Sequence, residues 1–299
     1  MALTRPLRLK SEIAKAKAEG STSHLPIARV WVDSGVFHLD SEFDYLIPDN
    51  LSPLVVTGIR VQVPFHGREV EALVLSRQAA SELSSLKAIS KVISPHSVAT
   101  VESLELIAAV SARWAAHPYD ILRSAIPPRV ASIDKVSFPD SSVEFNPAKP
   151  KRSYIHIPPV VNRFQFIATT LLKERTKGSR LIIAPDTRSV QQLALLLPEA
   201  VVLDSALERS SRYRNFLRAR TGRNITVIGT RSAVFVPVSD LDSIIVVDES
   251  SESHYEPRSP GWNVRDVAIV RSMKSKISLT LIGYSPSAEV ARLIESKWI

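Results

Sequence analysis

Residues 225–249 hold the groupings best suited to chemistry. A short apolar run, Ile225-Thr226-Val227-Ile228, leads into Gly229-Thr230-Arg231-Ser232-Ala233, and a second, Ile244 to Val247, ends in Asp248-Glu249. A carboxylate at the C-terminal edge of a buried strand can hold Mg²⁺ beside a nucleotide, and a second one next to it can orient an attacking water, the Walker B arrangement. Acidic pairs also end many surface strands, so this pair alone leaves both readings open. A partner loop of the form GxxxxGK[ST] would supply the phosphate contacts. The nine glycines stand at 20, 35, 58, 67, 178, 222, 229, 261 and 283, no two of them five apart, so no such loop can be written.

Other chemistries are narrowed by composition. The 299 residues contain no cysteine, which removes disulfides, thiolate zinc sites and cysteine nucleophiles together. The seven histidines are scattered and form no HExxH spacing, so no histidine-built metal site is expected. A formal charge of +8 favours an acidic partner, nucleic acid ahead of anionic lipid. Apolar runs such as Leu193 to Leu197 fall far short of the roughly 20 residues that cross a bilayer. The expectation is a soluble, cytoplasmic, nucleoid-associated chain with no membrane contact. Residues 1–24 carry Arg5, Arg8, Lys10, Lys15 and Lys17 without a continuous apolar region. They read as a flexible basic tail that touches phosphates or, equally, as a solvated extension, and not as a secretory signal.

The elements that must position these groups follow from periodicity. Strands are expected at 27–32, 43–47 and 59–65, the last alternating Ile59, Val61, Val63 and Phe65 against Arg60, Gln62 and Pro64. Val70, Ala72 and Val74 repeat the period after the Phe65-His66-Gly67-Arg68 turn, which predicts a hairpin. Thr100 is placed to cap a helix from Val101 with Leu104, Ile107, Ala108 and Trp114 on one buried face. The proline-dotted stretch 131–150 reads as a linker between a β-rich domain at 25–130 and a second domain at 151–299. In the second, apolar runs at 181–185, 201–203, 225–228, 244–247 and 279–282 alternate with helical patterns, as strands of a parallel α/β sheet do. The chain as a whole is expected to be α/β.

The order strand, GTRSA, short loop, Asp-Glu resembles the replication-restart helicase family PriA (primosomal protein N′), in which GTRSA precedes a DEEH box. The resemblance continues through His254-Tyr255, Trp262, Arg265-Asp266 and Ala268. In the first domain Phe43-Asp44-Tyr45-Leu46, Arg60 to Phe65, Lys87-Ala88 and His117-Pro118 are similar to the family's N-terminal 3′-DNA-end-binding domain. The resemblance covers roughly 27–130 and 151–295, and it implies a RecA-like first lobe of a superfamily 2 helicase after a DNA-end-binding domain. It further implies DNA as a partner, forked or with a free 3′ end, and a place among single-strand-binding and other primosome proteins.

The departures from that pattern fall on nucleotide chemistry. Where the family's phosphate loop stands, this chain reads Ile157-Pro158-Pro159-Val160-Val161-Asn162-Arg163-Phe164-Gln165. Two prolines supply no N–H, Arg163 is a displaced cation, and Phe164 replaces the Mg²⁺-binding hydroxyl. The DEEH box has become Asp248-Glu249-Ser250-Ser251, and the family's GSATPS motif reads Gly283-Tyr284-Ser285-Pro286-Ser287. The resemblance extends only through the first lobe, so a chain lacking the second lobe and the cysteine-rich zinc subdomain is the expectation. Since an ATP-driven strand separator closes two lobes around nucleotide, Asp248 and Glu249 are expected to be vestigial. No ATP, Mg²⁺ or zinc is expected to bind, and catalysis is not expected. The opposing reading is a 3′–5′ helicase whose site another chain completes, and a further one is a non-catalytic primosome scaffold.

DNA contact is then expected elsewhere. The resembled domain receives the terminal nucleotide of a nascent strand at a pocket matching Phe43-Asp44. An aromatic there walls a base, and a carboxylate accepts a bond from a base amino group or a free 3′-hydroxyl and repels a 3′-phosphate. Gly67 allows close backbone approach, and Lys87 is placed for the adjacent phosphate. The stretch 208–223 sets six arginines against one glutamate. Arg209, Arg212, Arg214 and Arg218, with Arg231 of GTRSA, are candidates for backbone contact, although a solvated helix with Tyr213, Phe216 and Leu217 turned inward explains the same periodicity.

Overall fold

A computed structural model describes residues 24–35, 42–139, 145–147, 149–173 and 177–299. The expected basic tail, apart from His24, lies outside the described residues, as do 140–144 and 148 of the expected linker. The chain forms two compact units, Met1–Leu104 and Glu105–Ile299.

The first unit is an antiparallel sheet in the order β2-β1-β4-β3-β5. Its strands are β1 (Ile27–Val32), β2 (Phe43–Leu46), β3 (Arg60–Phe65), β4 (Arg68–Gln78) and β5 (Lys91–Val92). The hairpin expected from alternation is present, with Val61 opposite Ala72, Val63 opposite Val70 and Phe65 opposite Arg68. Its two-residue turn holds His66 at φ 44° and Gly67 at φ 78°. Positive φ at both central positions is the turn whose twist matches that of paired strands. Val30, Val61, Val63, Ala72 and Val74 are wholly buried and form the interior. Arg60, expected on the polar face, is buried too; its Nε lies 3.4 Å from Glu71 Oε1 on the neighbouring strand, which compensates the charge.

Thr100 caps the helix α1 (Val101–Arg113) as expected. Its Oγ1 accepts from Ser103 N at 3.2 Å while Ser103 Oγ accepts from Thr100 N at 2.9 Å, a reciprocal box with serine in the usual Glu/Gln place. The buried face differs from the expected one. Ser103, Leu104, Ile107, Val110 and Ser111 keep the i, i+1, i+4, i+7, i+8 spacing of one stripe, which leaves Ala108 exposed. Trp114 lies past the last helical residue, where that period no longer applies. In α2 (Pro118–Ala125) the motif pair His117-Pro118 makes the start: His117 Nδ1 accepts from Tyr119 N at 3.0 Å, and Pro118 takes the first position, where no N–H is needed.

The second unit is a six-stranded sheet, every neighbouring pair parallel, in the order β6-β11-β10-β7-β9-β8. The strands are β6 (Arg152–His156), β7 (Ser179–Ile183), β8 (Val201–Leu203), β9 (Thr226–Gly229), β10 (Leu241–Val247) and β11 (Ser278–Gly283). Helices α3 (Arg163–Thr169), α4 (Thr187–Leu196), α5 (Arg209–Thr221), α6 (Val264–Ser275) and α7 (Ala288–Glu295) connect or follow them. On one face α3 and α4 set Phe164, Ile167, Val190 and Leu193 against Ile182, Ile228, Val247 and Ile282. Each such buried side chain contributes about 1.5–3 kcal/mol. The chain is thus α/β overall, an antiparallel β region followed by a helix-flanked parallel sheet. Among the described residues no helix is long and apolar enough to cross a membrane.

Candidate nucleic-acid interface

An open cavity of about 270 Å³ lies over the Phe43 end of the first sheet, walled by Phe43, Asp44, Phe65, His66, Leu86 and Lys87 among others. Its aromatic wall is built edge to face. Phe43 and Phe65 have ring centroids 5.1 Å apart at 79°, and Phe65 and His66 are 4.6 Å apart at 81°.

Asp44 is held from two sides. Strand register sets it directly opposite Arg29. Arg29 Nε donates to Oδ1 at 3.0 Å and Nη2 to Oδ2 at 3.4 Å, while Ser81 Oγ donates to Oδ2 at 2.6 Å. Burial by itself pushes this carboxyl's pKa up, but the Arg29 and Ser81 hydrogen bonds and the Arg29 charge outweigh it, so the group stays below its ordinary 3.8. Lys87 is exposed at the rim. Gly67 does not wall the cavity, and nothing stands within 4 Å of where its Cβ would be, so glycine there serves the turn's φ. Sequence reading missed Arg29, Phe65, His66 and Ser81 as parts of this site. Arg29 and Ser81 join it through strand register and a loop return, which carry no local signal.

The second candidate group gathers at the C-terminal edge of the parallel sheet, the edge at which such sheets hold ligands. The structure brings together 157–165, 248–249 and 283–287, the three segments singled out in the sequence. Asn162 caps α3, its Oδ1 accepting from both Phe164 N and Gln165 N at 3.1 Å, so these helix-start donors face a side chain of the chain itself. Arg163 Nε forms an ion pair with Asp248 Oδ2 at 2.9 Å. Its guanidinium lies 4.5 Å over Phe164 and 5.5 Å over Tyr284, and Nη1 donates to the Tyr284 hydroxyl. Asp248 stands at φ 53°. Its carboxyl pKa is raised because burial outweighs the opposing pull of Arg163.

Glu249 is fully buried. Oε1 accepts from Ser287 N at 2.7 Å and Oε2 from Ser287 Oγ at 2.9 Å, with Arg265 Nη1 at 3.5 Å. Ser287 is also the cap of α7. The carboxylate thus ties the end of β10 to the start of α7. Other motif residues are interior: His254 Nε2 lies 2.8 Å from Val247 O, and Trp262 meets Phe235 edge-on at 4.9 Å. Gly229 of GTRSA has no room for a side chain, since a Cβ would stand 2.4 Å from that of Ala233 and 2.8 Å from Leu203 O.

The arginines divide. On α5, Tyr213, Phe216 and Leu217 are buried as expected, and Arg214 and Arg218 face solvent. Arg209, also exposed, donates Nη2 to Arg129 O at 3.1 Å, and Arg212 is half-buried. Arg231 is held by its own chain: Nη1 donates to Ser253 O at 3.1 Å and Tyr255 O at 2.8 Å, and Nη2 lies 3.1 Å from Glu256.

Known proteins are similar to both units of this chain. Residues 29–127 match the family described as the PriA 3′DNA-binding domain (3′BD). The probable replication restart protein PriA of Mycobacterium tuberculosis is 33% identical over 291 residues, 87% of this chain and 44% of that protein. That of Mycobacterium leprae is 31% identical, again over 87% of this chain, with 45% of the relative covered. The replication restart protein PriA of Rickettsia felis is 26% identical over 84% of this chain and 42% of its own length. The chain therefore spans less than half the length of these relatives. Among solved structures, the E. coli DExH-box NTPase HrpB aligns with 48% of this chain and 20% of its own at 15% identity, with a TM-score of 0.34. The similarity to PriA runs through both units: the chain is PriA-like, and its residues 29–127 match that family's 3′DNA-binding domain.

Proposed function

We propose that this protein recognises branched DNA or stalled replication forks in replication restart by seating a free 3′ end in the Phe43–Asp44 cavity, without helicase activity of its own. The observation that carries this reading is the Asp44 carboxylate, held ionised by Arg29 and Ser81 beside an aromatic wall within a matched 3′DNA-binding domain. The terminal base packs on the edges of Phe43, Phe65 and His66. The 3′-hydroxyl donates to Asp44, a 3′-phosphate is repelled by it, and Lys87 holds the adjacent phosphate.

Independence from ATP is supported by the residues around Asp248. ATP with Mg²⁺ would need backbone donors, a phosphate-binding cation and a free carboxylate. Here Pro158 and Pro159 lack N–H groups, Asn162 already takes the helix-start donors, and Arg163 is paired to Asp248. Glu249 is committed to Ser287 and Arg265. These residues do not fit the nucleotide. Single-strand-binding and other primosome proteins, met at DNA in the cytoplasm, are the partners this role implies.

The test is fork binding by fluorescence anisotropy with a 3′-hydroxyl or a 3′-phosphate on the nascent strand. The hydroxyl fork is expected to bind roughly three- to tenfold tighter, the value of one hydrogen bond, and Asp44→Ala to erase the difference. Equal binding of both forks, unchanged in Asp44→Ala, overturns end recognition. DNA-stimulated ATP hydrolysis that is lost in Asp248→Ala overturns the ATP-independent reading.

A further inference from the structure

Of the described residues that wall the Phe43–Asp44 cavity, only His66 has positive φ, 44°. It fills the first central position of the β3–β4 turn, where asparagine, aspartate or glycine meets the backbone demand with less strain. A ring is more than the turn requires, and strain kept beside a binding cavity points to a use for the side chain. The imidazole is exposed, stands edge to face on Phe65 at 4.6 Å, and has no hydrogen-bond partner among the described residues. Its surroundings are basic. Arg68, opposite Phe65 in register, and Lys87 are both exposed and have no ion-pair partner among the described residues. The nearby carboxylates are already engaged, Asp44 by Arg29 and Ser81, and Glu69 by Ser90 Oγ at 3.0 Å. Leu46 N donates to Lys87 O at 2.8 Å, so Lys87 lies beside β2, whereas His66 continues β3. The two strands meet at the Phe43–Phe65 ring pair, and each side thus brings a nitrogen donor to the cavity.

We propose that His66 is a second phosphate contact of the end site, its imidazole N–H donating to the phosphodiester that joins the last two nucleotides while Lys87 meets the same group from the side of β2. The proposal rests on the end-binding reading above and deepens it: the ligand is a 3′-terminal dinucleotide with an ionised linkage, and the hydroxyl at Asp44 is only one of its marks. A neutral imidazole carries one N–H in either tautomer, and a phosphate oxygen accepts it whatever the base. The linkage lies at the open mouth, in solvent, so it takes up none of the volume that the terminal base fills between Phe43 and Phe65. An exposed donor among Arg68 and Lys87 suits an anion better than the mixed donors and acceptors of a base edge.

The test uses the full chain and short single strands ending in a 3′-hydroxyl, with a neutral methylphosphonate in place of either the last phosphodiester or one in the middle. For the native chain, replacing the last linkage is expected to weaken binding roughly ten- to a hundredfold, as two charge-assisted hydrogen bonds allow. His66→Asn suits the turn but is too short to reach, and His66→Phe keeps a ring on Phe65 without the N–H. In both, binding of the unmodified strand is expected to fall about three- to tenfold, and the penalty for the last linkage to shrink by the same factor. The penalty for the middle linkage is expected to match that of the native chain. A last-linkage penalty that is the same in the native chain and in His66→Asn, with matching melting curves, overturns the proposal, as does His66→Phe binding every strand like the native chain. The end-binding reading is scored apart from this, by the 3′-hydroxyl preference of the native chain on forks. If that preference is present while the His66 variants leave the penalty unmoved, the His66 contact alone fails; if the preference is absent and the two linkages count equally, end binding itself fails.

Discussion

Arg163 Nε stands 2.9 Å from Asp248 Oδ2, so the carboxylate at the end of β10 is neutralised by a cation from the start of α3. The pair is mostly buried, with side-chain exposures of 23% and 18%, and Tyr284 and Phe164 flank the guanidinium. Arg163→Ala strands the carboxylate. The expected loss is roughly 1–3 kcal/mol, less than for a fully buried pair because both groups keep some solvent. The sign with pH follows from the raised pKa of Asp248. A carboxyl whose folded value lies above its unfolded one favours the folded state at low pH, and that contribution is lost as pH rises through the folded value. Removing Arg163 raises it further, so the variant's thermal deficit is expected to be larger at pH of about 7.5 than at about 5. Asp248→Asn in the same background is expected to restore most of the loss at neutral pH.

Glu249 answers a different question, because its bonds are to the fold. Glu249→Ala removes the acceptor for Ser287 N and Oγ and one of the carboxylates around Arg265. The unfolding midpoint in urea is expected to fall by the equivalent of about 2–4 kcal/mol. Glu249→Gln keeps an oxygen for Ser287 N but turns an amide toward donors, so an intermediate loss is expected.

How much of this was readable beforehand depended on whether the physics was local. The runs Ile244 to Val247 and Leu279 to Ile282 announced central parallel strands because strands covered on both faces are apolar throughout. β6 gave no such signal, since Arg152-Ser153-Tyr154-Ile155-His156 is an edge strand, partly exposed and bonded only to β11. The Phe65–Arg68 turn was legible through Gly67, and the Asp44 position through its family motif. The bonds from Arg29 and Ser81 that set the charge of Asp44 were not, because register and loop return are properties of the sheet. Arg163 was legible as a misplaced cation, and its partner Asp248 became visible only once β10 and α3 stood at the same edge.

Gly229 and Gly67 separate two uses of glycine. At Gly229 a methyl group would collide with Ala233 Cβ and Leu203 O, so Gly229→Ala is expected to cost about 1–3 kcal/mol through overpacking. At Gly67 there is open space but φ is 78°, so Gly67→Ala is expected to cost about 1 kcal/mol through backbone conformation alone. Gly67→Ala is expected to leave fork affinity nearly unchanged, because the glycine does not wall the cavity. Denaturant melts and anisotropy on the same preparations check both.

The ionisation of Asp44 makes a pH prediction with the opposite sign to that of Asp248. Its folded pKa lies below the ordinary 3.8, so its contribution to stability is present above that value and is lost only as pH falls through the folded one. The ionisation of Asp44 is therefore expected to stay level from pH of about 8 down to about 5, and a change in the native preference over that range follows the second ionisation of the 3′-phosphate, at about 6. Arg29→Ala removes the largest downward influence and leaves burial to push the carboxyl up. In that variant the preference is expected to weaken more than in the native chain toward pH of about 5, as the carboxylate begins to take a proton. Asp44→Asn keeps the shape without the charge, so its discrimination is expected to be small at every pH. Anisotropy titrations of both forks across that range distinguish the three proteins; a preference in Arg29→Ala that tracks the native chain at every pH would show that Asp44 does not depend on Arg29 for its charge.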